Sequence, residues 1–204
     1  MDKDKLEGCR QLASWLSDLY WTAPSRATVA ALEPLRAESA KLGIEEAEAL
    51  GRVAEGMDDA GLKDVAVDHT DLFYGVKPDA PFPYESIYRG EQRLLMQAPA
   101  GEVKKVYEAE GYAPDQGDSR EPEDHISYEL GYLAFLLEAA RDAHERGDAV
   151  RAGELMDKKD AFVQEHVLRW IPRFCDDVRR RSSTEFLKLT SSLTERTVAA
   201  IADL

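Results

Sequence analysis

The sequence predicts an all-α fold, a single globular domain of about nine or ten helices arranged in two halves. Apolar residues recur at three- and four-residue steps along most of the chain, and nowhere is there sustained period-two alternation of β-branched residues. The 204 residues are enough to bury one sizeable core without a metal or disulfide.

Each element follows from local signals. Leu6, Cys9, Leu12, Ala13, Leu16, Leu19 and Tyr20 share a face, with Asp2 as a cap and Pro24 as a stop. Ser25 caps a second segment through Val29, Leu32 and Leu35 that ends at Gly43, and Pro34 is positioned to kink or split it. A third pattern runs through Ile44, Ala47, Leu50, Val53 and Met57, and a fourth through Leu62, Val65, Asp68, His69, Leu72 and Phe73. Three prolines then predict a loop over 74–90, "YGVKPDAPFPYESIYRG", rich in aromatic anchors. Helical signals return over 91–96 and again from Pro99 through Val103, Val106 and Tyr107. "GYAPDQGDSREP" reads as a hinge, near 113–122, between an N-terminal half (about 1–112) and a C-terminal half (about 123–204).

Beyond the hinge, Pro122 suits a first helical position, and Glu123 and Asp124 suit a first turn, ahead of the stripe Ile126, Leu130, Leu133, Leu137 and Ala140. A long helix follows until Pro172 interrupts it. Phe162, His166, Trp170 and Phe174 form an i, i+4 core stripe in which His166 is a hydrogen-bonded interior histidine. A last helix fits 184–200. His144 reads as a solvated helix-end residue, and "VRRRSS" at 178–183 as a solvated basic face.

Composition narrows the function. With 26 Lys+Arg against 40 Asp+Glu, the net charge of −14 repels nucleic acid and anionic membranes and favours a basic partner. The N-terminus has no signal-peptide core and no window is apolar enough to span a bilayer, so a cytoplasmic protein without stable membrane insertion is expected. Cys9 and Cys175 belong to no zinc or redox spacing; reduced, half-buried thiols are the simple reading, with a disulfide left open.

The stretch "EPEDHISYEL" at 121–130 concentrates chemistry: three carboxylates and a histidine before an apolar run. His125 and Glu129 stand at i, i+4, a two-ligand fragment that a His or Glu from 154–166 would have to complete for a metal-dependent helical enzyme. The di-iron Glu-x-x-His pattern is missing, since Ala66, Pro122, Arg141 and Val163 stand three before the four histidines. H-E-x-x-H, G-x-S-x-G, P-loop and G-x-G-x-x-G motifs are absent too. What remains is recognition, by carboxylates and an imidazole, of a basic peptide through charge-assisted hydrogen bonds.

Four phrases in one order, "DLF" (71–73), "PYESIYRGEQRLLMQ" (83–97), "EPEDHISYEL" and "FVQEHVLRWIPRF" (162–174), resemble the TorD/DmsD/NarJ family of cytoplasmic chaperones for molybdenum-cofactor redox enzymes. The resemblance implies a non-enzymatic protein without a cofactor of its own. Its partner would be the catalytic subunit of a molybdopterin oxidoreductase, bound through its twin-arginine leader or, as in the NarJ-like branch, through its mature body. It implies peptide binding by Asp124 and His125 with Leu72 and Phe73, and places His69 where some members carry an aromatic residue. Tyr84, Glu85 and Tyr88 either pin the loop or line the groove, and Glu129 belongs to the same face as His125. Weak guanine-nucleotide binding is implied by the resemblance alone, and both a monomer and a domain-swapped dimer stay open.

Overall fold

Helix α1 (Lys3–Trp21) is the axis of the molecule, and the computed structural model describes residues 2–75, 79–90, 92–114 and 121–204 around it. Its Asp2 cap accepts from the amides of Asp4 and Lys5, as its sequence predicts. Leu6, Leu12, Leu16 and Leu19 are wholly buried. Burying each contributes about 1.5–3 kcal/mol, several times the spread in helix propensity among ordinary residues, so packing rather than propensity holds α1 in place.

Ten further α-helices follow among the described residues: α2 (Arg26–Ala30), α3 (Leu32–Lys41), α4 (Glu46–Glu55), α5 (Asp59–Phe73), α6 (Glu85–Arg89), α7 (Ala98–Glu110), α8 (Ile126–Glu145), α9 (Ala149–Glu165), α10 (Ile171–Arg181) and α11 (Glu185–Ala202). A 3₁₀ turn, Val167–Arg169, joins α9 to α10. There is no strand among these residues, only one isolated bridge between Tyr84 and His125. Helix α1 packs against α8, α3 and α11, α8 against α9, and α11 against α4 and α10, so one core runs through both halves. Where α1 crosses α8, Gly131 allows the approach: a Cβ there would stand 2.7 Å from the Tyr112 hydroxyl and 3.3 Å from Ser17 Oγ. Ser17 Oγ also donates to the Ser127 carbonyl at 2.7 Å, tying the two helices.

Several boundaries differ from the sequence expectation, each for a physical reason. The second segment splits at Ala31, upstream of Pro34, which leaves the proline in the first turn of α3, where its missing N–H costs nothing. Helix α9 ends at Glu165 rather than at Pro172; a continuous helix would drive the Pro172 ring into the carbonyl of Leu168, so the chain makes a 3₁₀ turn and restarts with Pro172 in its first turn. The four residues of the predicted stripe therefore lie on two helices and their link, yet all are buried. Residues 92–96 are not helical: Arg93 and Met96 have φ of 50° and 57°. The loop over 74–90 instead contains α6. Residues 122–124 form a turn ahead of α8, which starts at Ile126 with His125 as its N-cap. Of the expected hinge, 115–120 lie outside the described residues, as does Glu91.

Both cysteines are free thiols and fully buried rather than half-buried; burial pushes Cys9 up to about 11 and raises Cys175 as well. No described helix is long and apolar enough to cross a membrane.

Candidate functional site

The bridge brings the two chemistry-bearing stretches together. The Glu85 amide donates to the Asp124 carbonyl at 3.0 Å and the Ile126 amide to the Pro83 carbonyl at 2.9 Å, so the start of α6 and the start of α8 are locked side by side. Asp124 completes the lock from its side chain. Its Oδ2 accepts from the Ser86 amide at 2.7 Å and from the Ser86 hydroxyl, capping α6 from 38 positions away. Ser86 Oγ in turn accepts from the Gln97 amide at 3.2 Å, which extends the chain of bonds to the start of α7. Asp124 is wholly buried, and burial raises its pKa although the Ser86 bonds pull the other way.

His125 turns outward from this lock. As N-cap of α8 its Nδ1 accepts from the Ser127 amide at 3.2 Å, which leaves the neutral tautomer with its proton on Nε2. Its ring lies 5.0 Å from Tyr84, 5.7 Å from Trp21 and 5.7 Å from Tyr128. Burial, aided by repulsion from His69, depresses its pKa to about 3.

A groove of about 530 Å³ opens over these rings. The end of α1 supplies Tyr20, Trp21 and Thr22; the end of α5 supplies Phe73 and Tyr74; the loop supplies Phe82, Tyr84 and Leu95; and Glu121 and His125 close it. The two helix ends are fastened together. The Tyr74 hydroxyl donates to the Trp21 carbonyl at 2.9 Å and His69 Nε2 donates to the Leu19 carbonyl at 2.9 Å. Glu121 is the acid of the groove, accepting from the Tyr84 hydroxyl at 2.6 Å. A mostly aromatic wall with one carboxylate among the described residues suits an apolar chain that carries a cation.

The residues singled out from sequence therefore separate into two sets. Phe73, Tyr84 and His125 line the groove. His69 lies just behind it, edge-on to Phe73 at 4.8 Å, and burial holds its imidazole near 4. Leu72 is buried in the core. Glu85, Tyr88, Asp124 and Glu129 are buried and do not line the groove. Glu85 accepts from His166 Nδ1 at 2.9 Å and from Arg89 at 2.7 Å, and Tyr88 packs 5.6 Å from Trp170. Glu129 accepts from Trp170 Nε1 at 2.9 Å; burial first, then repulsion from Glu85, raises its pKa well above the carboxylate range. The His125–Glu129 fragment drawn on for a metal-dependent enzyme is not completed from 154–166: His125 faces the groove, Glu129 holds Trp170, and the one histidine of that stretch, His166, holds Glu85. No group of three ligand-type residues converges among the described residues.

A family model for the nitrate reductase delta subunit matches residues 37–176. The chain belongs to the TorD/NarJ family. Among curated TorD/NarJ relatives, the chaperone protein TorD of Vibrio cholerae serotype O1 (strain M66-2) is 28% identical over 172 residues, covering 79% of this chain and 76% of the relative. TorD of Photobacterium profundum is 32% identical over 136 residues, covering 67% of this chain and 61% of the relative. The crystal structure of an Archaeoglobus fulgidus protein, described as a candidate redox enzyme maturation protein, superposes with a TM-score of 0.55 at 19% identity and covers 91% of both chains. That likeness shows that the two chains share the same all-helical fold.

Sequence reasoning missed Trp21, Tyr74, Phe82, Leu95 and Glu121 as groove residues. Glu121 is the first residue of "EPEDHISYEL" and Tyr74 directly follows "DLF", so both stood in or beside a motif. Leu95 lies within the quoted phrase "PYESIYRGEQRLLMQ", whereas Trp21 gave no signal. It also missed Asp68, whose carboxylate accepts from the Ser182 and Thr184 hydroxyls and the Ser183 and Thr184 amides, holding the turn between α10 and α11.

Proposed function

We propose that this protein is a cytoplasmic, non-enzymatic maturation chaperone that binds the twin-arginine leader of a molybdopterin-dependent oxidoreductase and holds the apo-enzyme until its cofactor is inserted. The observation that carries the reading is the groove: an aromatic trough with Glu121 at its edge, on a protein of net charge −14. A twin-arginine leader has the complementary chemistry, a basic pair followed by an apolar stretch. The relatives named as TorD chaperones support the same class of function.

The test is co-purification of the tagged chain from its native host, with mass spectrometry of the bound oxidoreductase and a parallel client that lacks its leader. Loss of the client with its leader supports leader recognition. Undiminished capture of the leaderless client assigns the binding to the mature body, as in the NarJ-like branch, and overturns leader recognition.

A further inference from the structure

His125 carries a hydrogen-bond donor that the fold does not use. Its Nδ1 is spent as the acceptor that caps α8 at the Ser127 amide, which places the ring proton on Nε2, and Nε2 donates to none of the described residues. The imidazole is only 5% exposed, enclosed by the rings of Trp21, Tyr84 and Tyr128. Yet Nε2 is not sealed in as the unpartnered hydroxyls of Tyr107 and Tyr132 are, so it opens on the groove that His125 borders. Trp21, on the same wall, behaves alike. Trp15 and Trp170 donate their indole N–H to the Thr28 carbonyl and to Glu129, whereas Trp21 makes no such bond among the described residues.

A nearly buried donor without an acceptor is costly, and filling the groove would cut it off from water unless the ligand supplies the missing acceptor. Chemistry narrows which acceptor that is. Arginine and lysine side chains only donate, so the basic pair of a leader has nothing to offer Nε2–H, and apolar side chains have nothing either. Burial keeps the ring neutral, with a pKa of about 3, so it does not act as a cation towards a carboxylate. What a basic and apolar segment does carry is the carbonyl of its main chain. Inside a helix that carbonyl is taken by the amide four residues on, so a carbonyl free to accept belongs to an extended stretch.

We propose that His125 Nε2–H donates to a main-chain carbonyl of an extended segment of the bound leader, so that His125 reads the peptide backbone and not its arginines. This deepens the leader-binding reading and rests on it. It also divides the work of one side chain between its two nitrogens. Nδ1 fixes the start of α8, and by doing so it aims Nε2 and sets its tautomer. The contact is indifferent to side-chain identity, which suits an apolar stretch whose residues vary from one leader to another.

The experiment separates the two nitrogens. Asparagine places an oxygen where Nδ1 stands and nothing at Nε2, so His125→Asn keeps the cap and loses the donor; His125→Gln carries an amide N–H out to the Nε2 position and gives up the cap. Both are titrated calorimetrically with a synthetic twin-arginine leader peptide and with a series in which one backbone amide at a time becomes an ester, whose carbonyl is the weaker acceptor. The thermal midpoint of each variant is the folding control. His125→Asn should keep a near-native midpoint and bind the leader about three- to tenfold more weakly, and His125→Gln should show a lower midpoint with near-native affinity. One ester position should weaken binding to the native chain and lose that penalty in His125→Asn. If His125→Asn binds like the native chain, or no ester position loses its penalty there, the main-chain contact is overturned while leader binding stands. If the native chain binds no leader peptide, leader recognition fails and the contact with it. Nitrogen-15 NMR of the histidine-labelled native chain reads the same contact without a variant: the Nε2 proton should move downfield and exchange more slowly when the peptide is added. A proton that is already slow to exchange in the free chain and unmoved by peptide is spent on an internal acceptor, such as the buried and unpartnered His69 Nδ1, and refutes the inference.

Discussion

Substituting Asp124 by alanine separates a structural lock from a ligand contact. The change removes the acceptor that caps α6 through the Ser86 amide and strands the Ser86 hydroxyl, which also accepts from Gln97 at the start of α7. Loss of a cap costs about 0.5–2 kcal/mol, and a buried polar group left unpaired about 1–3 kcal/mol. Part of this is offset, because burial already disfavours the Asp124 carboxylate and its Oδ1 has no partner among the described residues. A net loss of about 2–3 kcal/mol follows, roughly 5–10 °C in thermal midpoint for a chain of this size. Urea unfolding followed by circular dichroism measures it, and Ser86→Ala in a double-mutant cycle should show a coupling of about 1–2 kcal/mol. Leader affinity of the folded variant should change less than threefold, about 0.6 kcal/mol. A stability loss under about 0.5 kcal/mol together with a tenfold loss of affinity would refute the lock and return Asp124 to the peptide.

Three further outcomes follow from the buried charges. His69 and His125 are held at about 4 and about 3, so the unfolded chain takes up protons that the folded chain refuses, and stability present above pH 6.5 is lost as pH falls towards 4. His69→Gln should shrink the drop in urea midpoint between pH 7.5 and pH 5, and an unchanged drop would contradict the assignment. Glu129 is shifted the other way: its stability is present below the unfolded carboxyl range and lost as pH rises through its raised folded pKa. Glu129→Gln mimics the protonated form and keeps an acceptor for Trp170, so it should be at least as stable as the native chain at pH 8, with the gap closing towards pH 4.5; marked destabilisation at pH 8 would show that an ionised Glu129 is required. Asp68→Asn removes the charge that holds the turn between α10 and α11 and should cost about 1–3 kcal/mol at neutral pH, with less effect in acid because the lowered Asp68 pKa makes its contribution vanish there.

What was legible in the sequence was whatever is local. The α1 and α8 stripes, the Asp2 and Ser25 caps and the burial of His166 are written in three- and four-residue steps and in neighbouring residues. Helix α6 was not legible, since it is five residues long, lies among prolines and buries a glutamate and a serine, and its cap comes from Asp124 rather than from an adjacent residue. Asp68 and Ser182 are likewise 114 positions apart. Asp124 and His125 show the limit most clearly. Adjacent in sequence, they part where His125 pairs with Tyr84 in the bridge: Asp124 bonds Ser86 and secures the fold, and His125 borders the groove. The same lack of a local signature hid Trp21: a tryptophan at the end of a helix looks the same whether it caps a core or borders a groove.

The most direct test of leader recognition in the groove follows tryptophan fluorescence, with Trp21→Phe as control, while a twin-arginine leader peptide is added at low and at high salt. A saturable change is expected, with micromolar or tighter affinity that weakens as salt rises and with the signal lost or much reduced in the control. No saturable change and no calorimetric heat for any such peptide, or binding indifferent to salt and to lysine substitution of both arginines, would contradict it.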